Sequence, residues 1–336
     1  MILKRELEAE FKRVEFSLSH WRESSATADF NHLESTQAFG ITQELAELVE
    51  FALKLSTASG GMYDITVAPL TNLWGYGPAG KLPDPTPEQL KAALAKVGWS
   101  KLKLDKENLT LAKSHEGLNL DLGSVLQGYA ADRAAAVGAM GLQIFTGNPT
   151  GWARRAELPK ELPAFRARMK EHGFGPLAVH AAYLANLAGP NPVFREKTVE
   201  LLRHELRVAP EYGASFVNVH IGSHMGTGIE AGIARVAEAV ERILDGVPLA
   251  DDSALLVLEN SAGGGNGIGE SLDELIDIHE SMAARGIDLS RVAYCLDSAH
   301  LWGAGVEMKG DDEVDRLVEQ FDKKIGLEKL VMIHYN

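Results

Sequence analysis

The sequence predicts an α/β protein, an incomplete (β/α)8 TIM-type barrel preceded by a partial α+β domain. Three observations carry this reading. From residue 142 the apolar runs LQIF, LAVH, FVNVH, LLVLE, VAYCLD and LVMIH alternate with helical patterns such as GIARVAEAVERILDG, the signature of a parallel sheet covered by helices. Before that point the texture is irregular and rich in turns. The length of 336 residues suits two domains, expected over residues 1–138 and 139–336.

Taken in order, residues 1–55 read as two helices around a polar turn. ELAELVEFALKLS has helical spacing, with Thr42 as its N-cap. The Gly- and Pro-rich stretch SGGMYDITVAPLTNLWGYGPAGKLPDPTPEQ leads into the helix EQLKAALAKVG. Short strands are expected around KLKLD, LTLAK and GLNLDLG, followed by the helix SVLQGYAADRAAAVG. The strand–helix beat of the second domain then runs to the last residue.

Composition narrows the function. With 33 basic against 47 acidic residues the net charge is −14, which argues against a broad nucleic-acid-binding face. It leaves room for a small site where bound cations supply the positive charge. No apolar run approaches the roughly 18 residues of a membrane span. The N-terminus MILKRELEAEFKRVEF lacks a signal peptide's apolar core, so a cytoplasmic protein is expected. The single cysteine, Cys295, excludes an internal disulfide and reads as a small buried apolar residue.

The histidines divide unevenly, three before residue 140 and eight after it. Five strands of the second domain end in a potential ligand: His180, His220, Glu259, Asp297 and His334, at intervals of 40, 39, 38 and 37 residues. In a parallel barrel all strand C-termini share one face, so these side chains should meet at one mouth. Asp297 opens D-S-A-H, which brings His300 to the same rim. A lone histidine at a strand end is usually structural, but five ligand-type residues in phase are hard to explain that way. Imidazole with carboxylate suits zinc first, then manganese or iron. The loops HIGSHMGTG and ENSAGGGNGIGES could also bring backbone N–H groups to the mouth, where they would hold an anionic oxygen.

FTGNPTGW, VHAAYLANLA, VNVHIGSHMGTG, LLVLENSAGGGNGIGES, VAYCLDSAHLWGAG and VMIHYN, in that order, resemble endonuclease IV, the zinc-dependent family that incises DNA at abasic sites. The resemblance implies a cluster of up to three zincs. His180, His220 and Glu259 would form the first site. Glu259, also the catalytic carboxylate, would bridge to a second site shared with Asp297 and His334, and His300 would belong to a third. Tyr183 matches the aromatic that enters DNA at the lesion; a loop tyrosine packed on the rim is the plainer alternative. Thr150 stands where some members carry an arginine. The family pattern continues beyond the last histidine with a D-x-H pair and a glutamate that this sequence lacks, so impaired activity is expected.

SHWRESSATADFN, SGGMYDITVAPLTNLWGYGP and LNLDLGSVLQGYAADR resemble part of the FAD:protein FMN transferase family. This implies that Asp64, Trp74 and Tyr76 border a flavin pocket, with FAD and Mg2+ as cofactors; Trp74 and Tyr76 could equally be packing residues. The family's metal-binding aspartate and threonine are absent. DRAAAVGAMGLQIFT fits both families, which places the seam inside one helix. LNLDL and the helix from Ser124 to Val137 are expected to replace the barrel's first strand–helix unit, giving seven strands. Three readings stand: an endonuclease IV-like phosphodiesterase acting on DNA, a flavin-binding N-terminal part, and an inactive fusion product.

Overall fold

The computed structural model describes residues 2–19, 22, 24–77, 80, 83–308 and 310–335. His20, Trp21 and Glu23 of the SHWRESS motif and Pro78 of the GYGP motif lie outside the described residues. The chain divides into two compact units, Met1–Ala139 and Met140–Asn336.

In the first unit, α1 (Ile2–Leu18), α2 (Ala26–His32), β1 (Phe39–Gly40) and α3 (Gln43–Ala58) come first, then α4 (Ala68–Leu73) and α5 (Pro87–Lys96). β2 (Leu102–Asp105), β3 (Thr110–Lys113) and α6 (Gly123–Ala136) complete it. The strands form an antiparallel sheet in the order β1-β3-β2. Thr42 caps α3 as its sequence indicates, its side chain accepting from the Leu45 N–H at 3.2 Å. The apolar face of α3 (Leu45, Leu48, Val49, Ala52) buries against Phe30, Ile65, Leu111, Leu120 and Leu122.

The expected third strand, GLNLDLG, is absent. Leu118, Leu120 and Leu122 are fully buried, but the segment is irregular and joins no sheet. The Asn31 side chain supplies what a neighbouring strand would have given. Its Oδ1 accepts from the Leu120 N–H at 2.7 Å, and its Nδ2 donates to the Leu120 carbonyl at 2.9 Å. Alternating leucines thus mark alternating burial without a ladder. LNLDL therefore cannot stand in for a barrel strand, and the seven-strand expectation fails with it.

The second unit holds β4 (Leu142–Ile144), α7 (Leu162–Glu171), β5 (Leu177–His180), α8 (Pro192–Tyr212) and β6 (Phe216–His220). It continues through α9 (Ile229–Asp245), β7 (Leu255–Glu259), α10 (Leu272–Ala284) and β8 (Val292–Asp297). α11 (Ser298–Gly303), α12 (Asp311–Lys324) and β9 (Leu330–His334) end it. Its six strands are all parallel, in the order β4-β5-β6-β7-β8-β9.

Strand period two sorts the side chains between the two faces of this sheet. Leu256 and Leu258 of β7 pack with Leu202, Val236, Val240 and Leu275 from the covering helices. Val257 packs on the inner face with Ala293 and Cys295, alongside Phe216, Leu255 and Met332. The sheet curls until its first and last strands meet through side chains, His334 Nε2 lying 3.3 Å from Gln143 Oε1. The fold is a parallel barrel built from six strands, open between β4 and β9.

A candidate metal centre at the strand ends

β5, β6, β7, β8 and β9 end on His180, His220, Glu259, Asp297 and His334 respectively. The register is direct: His220 pairs with Glu259, and Asp297 with His334. Parallel strands and one common phase bring all five to one rim. His300 joins them through α11, whose N-cap is Asp297; the Asp297 Oδ1 accepts from the His300 N–H at 2.9 Å.

Glu259, only 1% exposed, is the hub. Its Oε2 lies 3.6 Å from His180 Nε2 and 3.5 Å from His220 Nε2. Its Oε1 lies 3.1 Å from His334 Nδ1 and 3.5 Å from His300 Nδ1. Burial alone would raise this carboxyl; the imidazoles gathered around it outweigh that and hold Glu259 well below the usual carboxylate range. The Glu259 partnership raises His334, whereas burial lowers His220.

Two backbone carbonyls decide the tautomers. His180 Nδ1 is 2.7 Å from the Ala181 carbonyl, and His300 Nδ1 is 2.9 Å from the Asn260 carbonyl. A carbonyl only accepts, so both Nδ1 atoms carry the proton. For His180 this leaves Nε2, the atom that faces Glu259, as the ring's acceptor, whereas for His300 the protonated Nδ1 is itself the atom nearest Glu259. A metal-binding histidine is ordinarily held this way. For His180 the bare nitrogen faces a carboxylate oxygen, two acceptors that repel unless a cation lies between them. The 3.5–3.6 Å separations around Oε2 approach the ~3.4 Å tetrahedral edge expected from zinc bonds of ~2.0–2.1 Å. The donor set therefore fits a zinc-type ion.

Three groups of ligand atoms lie within 4.8 Å of one another: His180, His220 and Glu259; Glu259, Asp297 and His300; Glu259, Cys295 and His334. The grouping differs from expectation in two respects. His300 stands with Glu259 and Asp297, the Asp297 cap of α11 holding its backbone there. Cys295 is buried, as its apolar surroundings implied, yet its sulfur lies next to Glu259 and His334. His334 Nδ1 is also 3.7 Å from Asp297 Oδ2, as the expected pairing of those two requires.

Five glycines of the two loops turn their N–H groups onto side chains of the loops and of the helix that follows, not onto the mouth as expected. Gly226 and Gly228 donate to His224 Nδ1, each at 3.1 Å. Gly264 and Gly267 donate to Glu270 Oε1 at 3.0 and 2.9 Å, and Gly269 donates to Glu274 Oε2 at 2.8 Å. These glycines build the loops themselves. Gly263 does so by close approach, since a Cβ there would stand 2.3 Å from the Gly303 carbonyl.

Tyr183 is 58% exposed, its ring 5.4 Å from Phe145, 5.6 Å from His180 and 6.1 Å from His220, centre to centre. It stands on the rim with one face free. The loop after β4 supports it, the Tyr183 N–H donating to the Pro149 carbonyl at 2.9 Å. That loop is anchored by residues the sequence did not single out: Arg154 Nε is 3.0 Å from the buried Glu205 of α8, and Thr146 donates to the same carboxylate. Thr150 turns inward on Asn148.

The flavin candidates behave differently. The Asp64 carboxylate closes a turn, accepting from the Thr66 N–H and hydroxyl at 2.8 and 2.6 Å and from the Trp99 N–H at 2.9 Å. Trp74 and Tyr76 are 49% and 76% exposed, so neither packs in the unit's core.

A parallel barrel whose strand ends carry imidazoles and carboxylates around one buried glutamate defines a class of metal-dependent barrel proteins. Comparison with known proteins narrows it. Residues 131–336 match the xylose isomerase-like TIM barrel family. The probable endonuclease 4 of Halothermothrix orenii is 37% identical over 207 residues, 62% of this chain and 72% of that protein. That of Natranaerobius thermophilus is 36% identical over 209 residues, 62% and 71% of the two chains. The crystal structure of endonuclease IV from Thermus thermophilus superposes with a TM-score of 0.50 at 30% identity, over 61% of this chain and 70% of that one. The chain belongs to the xylose isomerase-like TIM barrel family, in its endonuclease 4 branch. Residues 2–141 match the ApbE family. The flavin transferase ApbE from Vibrio cholerae is 31% identical over 40% of this chain, which spans only 43% of that structure, with a TM-score of 0.39. The two family matches overlap over residues 131–141, the stretch whose sequence suits both.

Proposed function

We propose that the unit from residue 140 onward is a zinc-dependent phosphodiesterase of endonuclease 4 type, cleaving DNA beside abasic sites. The observation that carries this is the gathering of five successive strand ends, with His300 of α11, around the buried Glu259. His180, His220, Glu259, Asp297, His300 and His334 are the residues that would hold zinc. Bound there, zinc supplies a hydroxide source near neutral pH and neutralises phosphate charge.

The chain's own residues do the rest. Glu259, with one oxygen toward each pair of imidazoles, would offer a ligand to a cation on either side. The Ala181 carbonyl fixes the His180 ring so that Nε2 faces Glu259, and the Asn260 carbonyl holds the His300 ring beside it. Tyr183 offers a rigid aromatic face at the rim, against which an extruded nucleotide packs. An abasic nucleotide is the cheapest to extrude, having no base to unstack. With a net charge of −14, affinity for DNA depends on the bound cations and falls steeply without them.

The test is incision of a duplex carrying one abasic site by zinc-supplemented protein. Incision is expected with zinc and not with EDTA. His220→Ala should lose more than the ~10–100-fold typical of an outer-shell change. Folded, zinc-loaded protein that leaves the duplex intact would overturn the proposal.

A further inference from the structure

One side chain in the barrel interior belongs to neither the ligand set nor the apolar core. Asn218 lies on β6 two positions before His220, and the same strand period turns it inward. It is fully buried, paired in register with Val257 on one side and His180 on the other. Its Nδ2 donates to Glu259 Oε2 at 2.5 Å. Its Oδ1 is buried without a hydrogen-bond partner among the described residues.

For stability alone this is a poor arrangement. A buried amide with one end unsatisfied costs free energy, and an apolar residue of similar shape would avoid that cost. Val257, its register partner, shows that the layer accepts a branched apolar side chain. A half-satisfied buried amide in a native fold therefore calls for a reason other than packing.

Glu259 supplies the reason. A carboxylate in the mouth can rotate about its last bond, presenting both oxygens to one imidazole pair or one oxygen to each. The observed orientation is the second. Oε2 faces His180 and His220, and Oε1 faces His334 and His300. Each imidazole pair sits on its own side of the carboxylate, so neither selects this rotation against a twist toward itself. Asn218 lies beneath the carboxylate and holds Oε2 from the side away from the mouth. We infer that Asn218 is a positioning residue that locks the rotation of Glu259 and so keeps its two oxygens divided between two cation positions. This rests on the zinc reading above.

Asn218→Val is the informative change, with Asn218→Leu as a companion closer in shape that also removes the donor. Zinc affinity of wild type and both variants is measured by competition with a chromophoric chelator, beside thermal unfolding of the metal-free proteins. The expected result is that Asn218→Val unfolds no lower than wild type while its zinc affinity falls by ~10–100-fold, the usual effect of losing an outer-shell partner. Asn218→Leu should also weaken zinc binding, having lost the donor to Oε2. If wild type binds zinc and Asn218→Val binds it equally well, the positioning role is overturned and the zinc reading stands. If Asn218→Val fails to fold, the Leu variant decides in the same way, unchanged affinity overturning the role. If folded wild type binds no zinc, both the role and the reading beneath it are overturned.

Discussion

His279 on α10 and Tyr294 on β8 meet behind the sheet, the Tyr294 hydroxyl 3.0 Å from His279 Nδ1. Burial pushes the phenol up and, with help from Lys329, the imidazole down, so the hydroxyl donates to a neutral ring. The folded-state pKa of His279 lies below its ordinary value. Its contribution is therefore complete above the unfolded pKa of ~6.5 and is lost as pH falls below it toward the folded value. Urea unfolding of metal-free protein on either side of that pH should show wild type losing stability relative to His279→Gln; equal losses would refute the assignment. The buried Arg154–Glu205 pair makes a second case at this scale. Removing Glu205 leaves a guanidinium uncompensated, which costs ~3–5 kcal/mol for a buried pair. Glu205→Ala should lower the unfolding midpoint accordingly and expose the 146–155 loop to protease. Neither feature was legible in the sequence. Their partners lie 15 and 51 residues apart on different elements, and no local pattern announces a buried polar pair. The six candidate ligands were legible because strand ends and the D-S-A-H cap are local features repeated at a regular interval.

Helices and strands obey their own signals where those signals are local. α8 is bounded by Asn191, whose side chain accepts from the Val193 and Phe194 N–H groups, and by Gly213 in the left-handed conformation at φ 79°. Asn191→Ala should cost ~1 kcal/mol, read as a lower urea midpoint with unchanged slope. The six strands after residue 140 follow their apolar runs. LNLDL does not, although its alternation is as regular as theirs, because Asn31 satisfies the Leu120 backbone from 89 residues away. Period two reports which side chains are buried; whether a neighbouring strand or a side chain pairs the backbone is a tertiary decision. Within the second unit, β4 and β9 each have one strand neighbour, whereas β6, β7 and β8 have two. Amide hydrogen exchange should therefore be slowest in β6 to β8 and faster in β4 and β9. Uniform protection across the sheet would mean that both edges are covered.

For the whole molecule, each of the two units has its own apolar core, one around Leu45, Phe30 and Leu120 and the other around Leu202, Val240 and Leu275. Every candidate ligand belongs to the second. A ligand that binds only the folded state stabilises it by ~2.7 kcal/mol at a hundred times its Kd. Calorimetry should resolve two unfolding events, of which zinc raises one and leaves the other in place. Acid should act on the other unit in a different range. Glu10, bonded by Arg13 and Arg133, has its pKa lowered to about 2. Its contribution is present above the ordinary carboxylate value and lost as pH falls toward 2. The division into two styles of sequence was legible from texture and motif. The count of strands was not, since it depended on a segment whose pairing only the folded unit decides.

The central claim is that histidine and carboxylate side chains from successive strand ends grip a metal ion together. X-ray absorption at the zinc edge of reconstituted wild-type protein tests it most directly. The account predicts bound zinc with a nitrogen and oxygen shell at ~2.0–2.1 Å and the outer-shell scattering of at least two imidazoles, one of them removed in His220→Ala. Absence of bound zinc, or a shell of oxygen alone that His220→Ala leaves unchanged, would contradict it.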